Sequence, residues 1–239
     1  GSTITSLIYA SFTFIFFALE AAIMASALEL LFGLPLVFGY LVSSLMVIPL
    51  VTHGITAISR FQMWSQPLWL ILQLIPFVFI LWQEWTSLGQ WTEYQGSAQS
   101  EGAGFSLLFF GAASGVLFSL VAQIGEQVDF LRFLPAKDKH NSARWWLALI
   151  SAGPGWIIIG ALKIMAGSFL AVLAINHGVA TDLADDPIQM YLIAFSYLNQ
   201  SPTATLALAG IFVVICQLKI NVTNAYAGSI AWSNFFSRL

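Results

Sequence analysis

Long apolar runs separated by short polar loops make up this sequence from end to end. A helix needs about 20 predominantly apolar residues to cross the hydrocarbon core of a bilayer. The pattern therefore predicts an all-α integral membrane domain with about six transmembrane helices. The predicted spans cover residues 7–32, 36–58, 67–85, 105–128, 146–175 and 203–232.

Glycine and proline mark the breaks in this pattern. Gly33 and Pro35 separate the first two spans, and Gly153 with Pro154 should kink the fifth. Residues 188–198, just before the last span, predict a short helix that lies on the membrane. The whole chain, residues 1–239, is predicted to be a single transmembrane domain.

The composition agrees with lipid as the solvent of this chain. Hydrophobic residues make up 59% of it and charged residues only 8%, whereas soluble domains carry about 25% charged residues. The net charge is −3 and no basic stripe is present, so a nucleic-acid partner is not expected. The single cysteine cannot form an intrachain disulfide.

The charges predict an orientation. With six spans, every Lys and Arg in a loop falls on one side, which the positive-inside rule makes cytoplasmic, and we expect a multi-pass protein of the plasma (inner) membrane. The chain begins with Gly1 rather than Met and ends directly after a span, and so it is predicted to be part of a longer protein. The residues that fix the orientation are Arg60, Arg132, Lys137, Lys139, Arg144 and Arg238.

Polar residues inside the first and last spans are candidates for a binding site, because ionisable groups in hydrocarbon are costly unless they have a partner. Glu20 lies midway along the first span, one helical turn after the aromatic Phe16. Lys219 lies deep in the sixth span, with Asn221 and Asn224 just beyond it.

The fourth span carries a polar stripe of its own. Gln123, Glu126 and Gln127 are spaced as i, i+3 and i+4, which places them on one helix face. We include Gln123 among the candidate solute ligands and Glu126 among the candidate coupling groups. A purely structural role for Lys219, as an ion-pair partner of Glu126 or Glu20, is the alternative.

Three short stretches resemble the nucleobase–cation symporters, the family of cytosine, uracil, allantoin and hydantoin permeases. Phe-Phe-Ala-Leu-Glu at residues 16–20 is similar to the family's Trp-Phe-Gly-x-Gln in helix three. Asp-Phe-Leu-Arg-Phe at residues 129–133 is similar to Asp-Phe-Ser-Arg-Tyr in helix six. Asn-Val-Thr-Asn-Ala-Tyr-Ala at residues 221–227 is similar to Asn-x-x-Asn-x-Tyr-Ser in helix eight.

This resemblance implies part of a leucine-transporter-type bundle of two inverted repeats, here helices three to eight of twelve, with a solute site near the bilayer midplane. It puts Phe16 in the place of a stacking Trp, Glu20 in that of a solute-binding Gln, and Asn224 in that of the solute-binding Asn. The remaining helices of the parent protein would then be partners of this segment.

The resemblance fails at the sodium site. The hydroxyl ligands expected on helix eight are replaced by Leu218 and Lys219, so no cofactor or metal is predicted. We hypothesise that the Lys219 ammonium takes the place of sodium and makes the protein sodium-independent. If transport is proton-coupled, Glu20 or Glu126 is the expected proton carrier, because burial tunes a carboxyl toward neutral pH.

Two functions from different classes fit these patterns. The first is a secondary transporter for a nucleobase-like or related small nitrogenous solute, working by alternating access. The second is a transporter-derived sensor domain, for example of a histidine kinase, in which the solute shifts a conformational equilibrium. An enzyme is not expected from this segment, because the histidines are scattered and neither a nucleophile–base pair nor metal-ligand spacing occurs.

Overall fold

The computed structural model describes residues 2–96, 105–120 and 124–237, with side chains throughout except at residues 2, 119–120 and 124–126. Within these residues, all regular secondary structure is helical. The helices are α1 (Ser2–Phe32), α2 (Leu36–Thr52), α3 (Gly54–Gln83), α4 (Ser87–Glu93), α5 (Leu107–Leu120), α6 (Ile124–Leu131), α7 (Ser142–Ala152), α8 (Trp156–Asn176), α9 (Pro187–Ser196) and α10 (Pro202–Phe236).

Among the described residues, four stretches are long and apolar enough to cross a membrane, which agrees with the prediction of an all-α, membrane-embedded chain. Of the six predicted spans, the one at residues 105–128 lies partly outside the described residues. Helix α2 has 17 residues and is about 26 Å long at 1.5 Å per residue, somewhat short of a hydrocarbon core of about 30 Å. The four stretches are Thr3–Phe32, Gly54–Gln83, Ser142–Asn176 and Pro202–Phe236.

Helices α2 and α3 meet at a tight turn rather than across the predicted loop. Helix α2 ends at Thr52 and α3 begins at Gly54, whereas the apolar pattern placed these limits at residues 58 and 67. Gly54 has a φ of 74°, a left-handed conformation that glycine adopts without strain. The consequence is that the polar residues between 54 and 67 lie on a helix and not in a loop.

Two other local predictions are met. The chain turns at residues 153–155, between α7 and α8, where glycine and proline predicted an interruption. The short helix before the last span is α9, which starts at Pro187. The Asp186 carboxylate caps it by accepting a hydrogen bond from the Ile188 N–H at 3.0 Å, as expected for an N-cap aspartate.

The described chain divides into two compact units. The first unit comprises residues 1–92 and 167–239, and the second comprises residues 93–166. The first unit contains α1 to α3, most of α4, the C-terminal part of α8, α9 and α10. The second contains α5, α6, α7 and the N-terminal part of α8.

Helices α1 and α10 form the centre of the first unit and run antiparallel. A Cβ added to Gly228 would lie 2.7 Å from the Thr13 hydroxyl, and one added to Gly210 would overlap the Leu31 side chain. Small residues allow such close approach of apolar helices. An aromatic core covers the end of this pair near Gly210, where the ring centroids of Phe212 of α10 and Tyr191 of α9 lie 4.3 Å apart.

Gly39 of α2 is the glycine whose replacement should most disturb the packing of α2 on α1. A Cβ at position 39 would lie 2.9 Å from the Cβ of the fully buried Ala25 and 3.1 Å from its Cα, atoms that cannot rotate away. We expect Gly39→Ala to cost about 1–3 kcal/mol of unfolding free energy, the usual cost of overpacking. Differential scanning fluorimetry of the purified protein measures this as a lowered melting temperature.

Gly160→Ala is the matched control for this substitution. Gly160 also lies within a helix, and among the described residues none comes within 4 Å of an added Cβ. An alanine there should be neutral or stabilise by about 0.5–1 kcal/mol, since alanine is the better helix former. Equal losses of melting temperature in both variants would contradict the close contact between α1 and α2.

Candidate functional site

Three amide side chains form a buried stripe on α10. Gln217, Asn221 and Asn224 are spaced by four and three residues, so they share one face of the helix. Their relative exposures are only 8%, 0% and 1%. Two of the three, Asn221 and Asn224, are the predicted solute ligands of the last span.

The stripe faces α1 and is poorly satisfied within the bundle. The Asn221 Nδ2 donates a hydrogen bond of 3.3 Å to the carbonyl of Phe17, so the amide reaches the middle of α1. Among the described residues, neither amide atom of Asn224 has a hydrogen-bond partner. The Asn221 Oδ1 likewise has none within the described part of the chain. A buried polar group without a partner costs about 1–3 kcal/mol. The bundle therefore carries hydrogen-bonding capacity that its own packing does not use.

The predicted ligands of α1 lie on the flank of the same interface. Phe16 directly precedes Phe17, and its ring packs against that of Phe12 with centroids 4.4 Å apart. Glu20 follows Phe17 by three residues, about 60° short of a full turn. Both Phe16 and Glu20 are half-buried. Aromatic, carboxyl and amide groups thus lie within about one turn of the α1–α10 contact.

An apolar cavity of about 200 Å³ lies on another side of this contact. Its walls come from α1, α2 and α10 and include Phe17, Val47, Val51 and Ala225. The lining exposes almost no polar atoms, so it could fit the shape of a solute but offers it hardly any hydrogen bonds. The unsatisfied amides lie within the helix interface, so their polar groups and this cavity are separate features of the fold.

Lys219 clamps α10 to α3. Its Nζ donates to the Ser65 hydroxyl at 3.0 Å and to the Gln62 carbonyl at 3.2 Å. The Gln62 amide in turn donates to the Lys219 carbonyl at 2.8 Å. The cation of the last span is thus coordinated by oxygens of α3, a helix the sequence analysis did not connect with it.

Ser65 and Gln62 belong to a polar ladder along α3 that sequence reasoning missed. Further toward the C-terminus of α3, the Trp69 Nε1 donates to the Cys216 Sγ at 3.1 Å and the Gln73 amide donates to the Tyr191 hydroxyl at 2.7 Å. The signal was present in the sequence as polar or amphipathic residues at 62, 65, 69 and 73, spacings of three and four. It was overlooked because the first two positions were assigned to a loop.

The candidates of the fourth span remain predictions. Gln123 lies outside the described residues. Glu126 lies on α6, but its side chain is likewise outside the described part. Gln127 lines a groove of about 300 Å³ within the second unit, together with Ser151 and Trp156. Of the predicted solute ligands, Asn221 and Asn224 share a buried face of α10 that reaches Phe17 of α1, and Phe16 and Glu20 lie one residue before and three residues after Phe17 in the chain.

No protein-family model, curated protein or solved structure matches this chain. The leucine-transporter arrangement and the resemblance to nucleobase–cation symporters accordingly stay predictions from the motifs quoted above. The chemistry of the α1–α10 interface is the observation from which a function can be argued.

A second polar cluster lies where three helices of the first unit end. The Tyr197 hydroxyl, just after α9, donates to the carboxylate of Glu84, which follows α3. His177, which follows α8, places its Nε2 3.1 Å from the Tyr197 oxygen and 3.8 Å from the same carboxylate. Its Nδ1 lies 2.8 Å from the Leu173 carbonyl and must be protonated to bond there, because a carbonyl only accepts.

This cluster predicts a dependence of stability on alkaline pH. Burial, followed by the hydrogen bond to Glu84 and the charge of its carboxylate, raises the pKa of the Tyr197 phenol. A raised pKa means that the fold favours the neutral phenol. The associated stability is present below the unfolded-state pKa of about 10 and is lost as pH rises through the higher folded-state value.

Melting temperatures of the wild type and Tyr197→Phe, measured between pH 7 and 12, test this expectation. Near neutral pH the wild type should be more stable than Tyr197→Phe, because phenylalanine lacks the hydroxyl that donates a hydrogen bond to Glu84. Its advantage should shrink above about pH 10. Parallel curves for the two proteins across the whole range would contradict the role given to this phenol.

Proposed function

We propose that this chain is the membrane segment of a secondary transporter for a small, planar, nitrogen-containing solute such as a nucleobase or hydantoin. The observation that carries the proposal is the pair of buried asparagines on α10, where the helix packs on α1. Among the described residues, both amide atoms of Asn224 and the Oδ1 of Asn221 lack a hydrogen-bond partner. Unpaired polar groups of this kind are costly in a fold. A solute with matching donors and acceptors would remove that cost.

The neighbouring groups favour a flat heterocycle as the solute. An amide offers two N–H donors and a carbonyl acceptor, which pair with the ring nitrogens and carbonyls of such molecules. The aromatic pair Phe12 and Phe16 supplies a flat apolar surface on the adjacent helix. The Glu20 carboxylate, when ionised, accepts from N–H donors and suits a solute that is rich in them. If transport is coupled to protons, Glu20 or Glu126 carries the proton.

We further propose that Lys219 acts as a resident cation, which makes the protein sodium-independent. Its ammonium is bonded to a hydroxyl and a carbonyl of a neighbouring helix, the kinds of oxygen that also bind a small cation. A covalently attached cation holds α3 and α10 together without being released.

A sensor is the second candidate, and the same lysine favours it. A cation that cannot leave the protein cannot couple transport to its own gradient. A domain whose helices α3 and α10 are joined by this lysine can still bind a solute and shift between two packings. Uptake of the solute into proteoliposomes, compared with binding alone, separates a transporter from a sensor of a fused signalling module.

The wider setting belongs to the same proposal. The segment would supply helices three to eight of a leucine-transporter-type bundle in the plasma (inner) membrane, with its basic loops in the cytoplasm. Its partners would be the lipid bilayer, the solute and the other helices of the protein. Rocking of one helix group against another would give alternating access.

Thermal stabilisation of the full-length protein by a panel of nucleobases, hydantoins and simple amines tests the function. A bound solute raises the melting temperature by mass action, by an amount that grows with concentration. We expect a hit among the heterocycles, of equal size in sodium chloride and in choline chloride. A hit seen only in sodium would overturn the role of Lys219, and a hit confined to the amines would overturn the solute class.

A further inference from the structure

The second unit carries a concentrated positive charge between α6 and α7. We call residues 132–144, the connection between the two helices together with the first residues of α7, the basic loop. It holds four cations and one carboxylate, a formal charge of +3 in a protein whose net charge is −3. All four cationic residues are exposed. They are Arg132, Lys137, Lys139 and Arg144.

The single carboxylate of the loop is used by the loop's own backbone. The Asp138 Oδ1 accepts hydrogen bonds from the N–H groups of His140 and Asn141, at 2.7 and 2.8 Å. The Asn141 Oδ1 accepts in return from the Asp138 N–H at 2.8 Å. The loop is thus fixed by internal bonds, and its acidic group is directed at backbone N–H groups while the cations remain exposed.

Two tryptophans lie beside the basic loop. The Lys137 ammonium lies 4.8 Å from the ring centroid of Trp146 and 5.6 Å from that of Trp145. Tryptophan is enriched at the membrane–water interface. Directly after this pair, Leu147 and Ile150 of α7 expose 69% and 53% of their surface, as expected of side chains that face hydrocarbon.

We propose that the basic loop binds the headgroups of anionic phospholipids. Four exposed cations beside interfacial aromatics and a lipid-facing helix present positive charge where phosphodiesters lie. Each Lys or Arg near an anionic surface is worth about 1 kcal/mol, which corresponds to roughly a fivefold change in affinity. The loop recruits acidic lipid to this position in the bilayer, independently of any solute bound elsewhere.

Tryptophan quenching in nanodiscs tests this preference. The full-length protein is placed in two sets of discs with the same mixture of phosphatidylglycerol and phosphatidylcholine. In one set only the phosphatidylglycerol chains are brominated, and in the other an equal number of phosphatidylcholine chains are. Bromine quenches nearby tryptophan, so the ratio of the two quenching values reports which headgroup is enriched beside the nine tryptophans of the chain. The part of this ratio that changes when charges of the basic loop are removed reports the surroundings of Trp145 and Trp146.

We expect the wild type to be quenched more by brominated phosphatidylglycerol. The Arg132→Gln/Lys139→Gln/Arg144→Gln protein should lose this preference, since removal of each cation lowers the affinity roughly fivefold. The matched control Arg132→Lys/Arg144→Lys keeps the charge and should keep the preference. Equal quenching by both lipids in the wild type, or an undiminished preference in the glutamine variant with an unchanged melting temperature, would overturn the proposal.

Discussion

Asn224→Leu is expected to make the protein more stable and at the same time to remove its response to solute. Both amide atoms of Asn224 are buried without a partner among the described residues. Leucine has the same branched arrangement of four side-chain heavy atoms and no polar group to satisfy. The substitution should therefore raise the unfolding free energy by about 1–3 kcal/mol, the cost of an unsatisfied buried group.

The same substitution should weaken solute binding at least tenfold, about 1.4 kcal/mol, because the solute loses its hydrogen-bond partner. Melting curves with and without the best heterocycle of the panel measure both effects in one experiment. A rise in basal melting temperature with loss of the solute shift is the predicted result. Such an exchange of stability for binding is common where a site is strained for function.

Asn221→Leu is the matched control for this prediction. The two asparagines lie on the same face of α10 and are equally buried, but the Asn221 Nδ2 bonds to the Phe17 carbonyl. Loss of that bond should offset the gain from removing the amide, so the basal stability should rise less than in Asn224→Leu. If Asn224→Leu instead destabilises the protein more than Asn221→Leu, Asn224 has a structural role that contradicts the proposed site.

Lys219→Met, at the one charged residue of α10, is expected to destabilise the protein strongly. The variant keeps the length and apolar stem of the side chain but removes the bonds to the Ser65 hydroxyl and the Gln62 carbonyl. A hydrogen bond that involves a charged group is worth about 1.5–3 kcal/mol. A loss of this size should appear in the unfolding free energy and lower the melting temperature clearly.

A double-mutant cycle with Ser65→Ala isolates the contact between the two helices. Because Lys219 and Ser65 are bonded directly, the double variant should lose less stability than the sum of the two single variants. Additive losses would show that Lys219 acts through other neighbours and would remove the support for a cation clamp between α3 and α10.

The helical, membrane-embedded class could be predicted from the sequence because it follows from composition and segment length. The limits of α2 and α3 could not, because apolar residues continue across the turn at Gly54, where a single left-handed residue reverses the chain. Sequence analysis predicted Asn221 and Asn224 as candidate ligands deep in the last span, and the fold shows that they share one helix face. What that face contacts depends on long-range packing, which no local pattern encodes.

The partners of Lys219 illustrate the same limit. Sequence reasoning weighed carboxylates as its partners, since opposite charges attract. The described fold instead satisfies the ammonium with oxygens of α3, residues more than 150 positions away in the chain. Gln62 could enter the argument only once α3 was known to begin at Gly54.

Cysteine labelling beside the asparagines tests directly whether the buried interface between α1 and α10 opens to water and is covered by solute. The experiment uses full-length protein with Cys216→Ser, carrying either Thr13→Cys, buried where α1 meets Gly228 of α10, or, as an exposed control, Ser233→Cys. Position 13 lies one turn before Phe17, and the substitution leaves both asparagines in place. A small aqueous thiol reagent should label position 13 slowly and position 233 rapidly, and the stabilising heterocycle should protect position 13 alone. Labelling at 13 that the heterocycle does not slow, or no labelling there while 233 reacts, would contradict a solute site between α1 and α10.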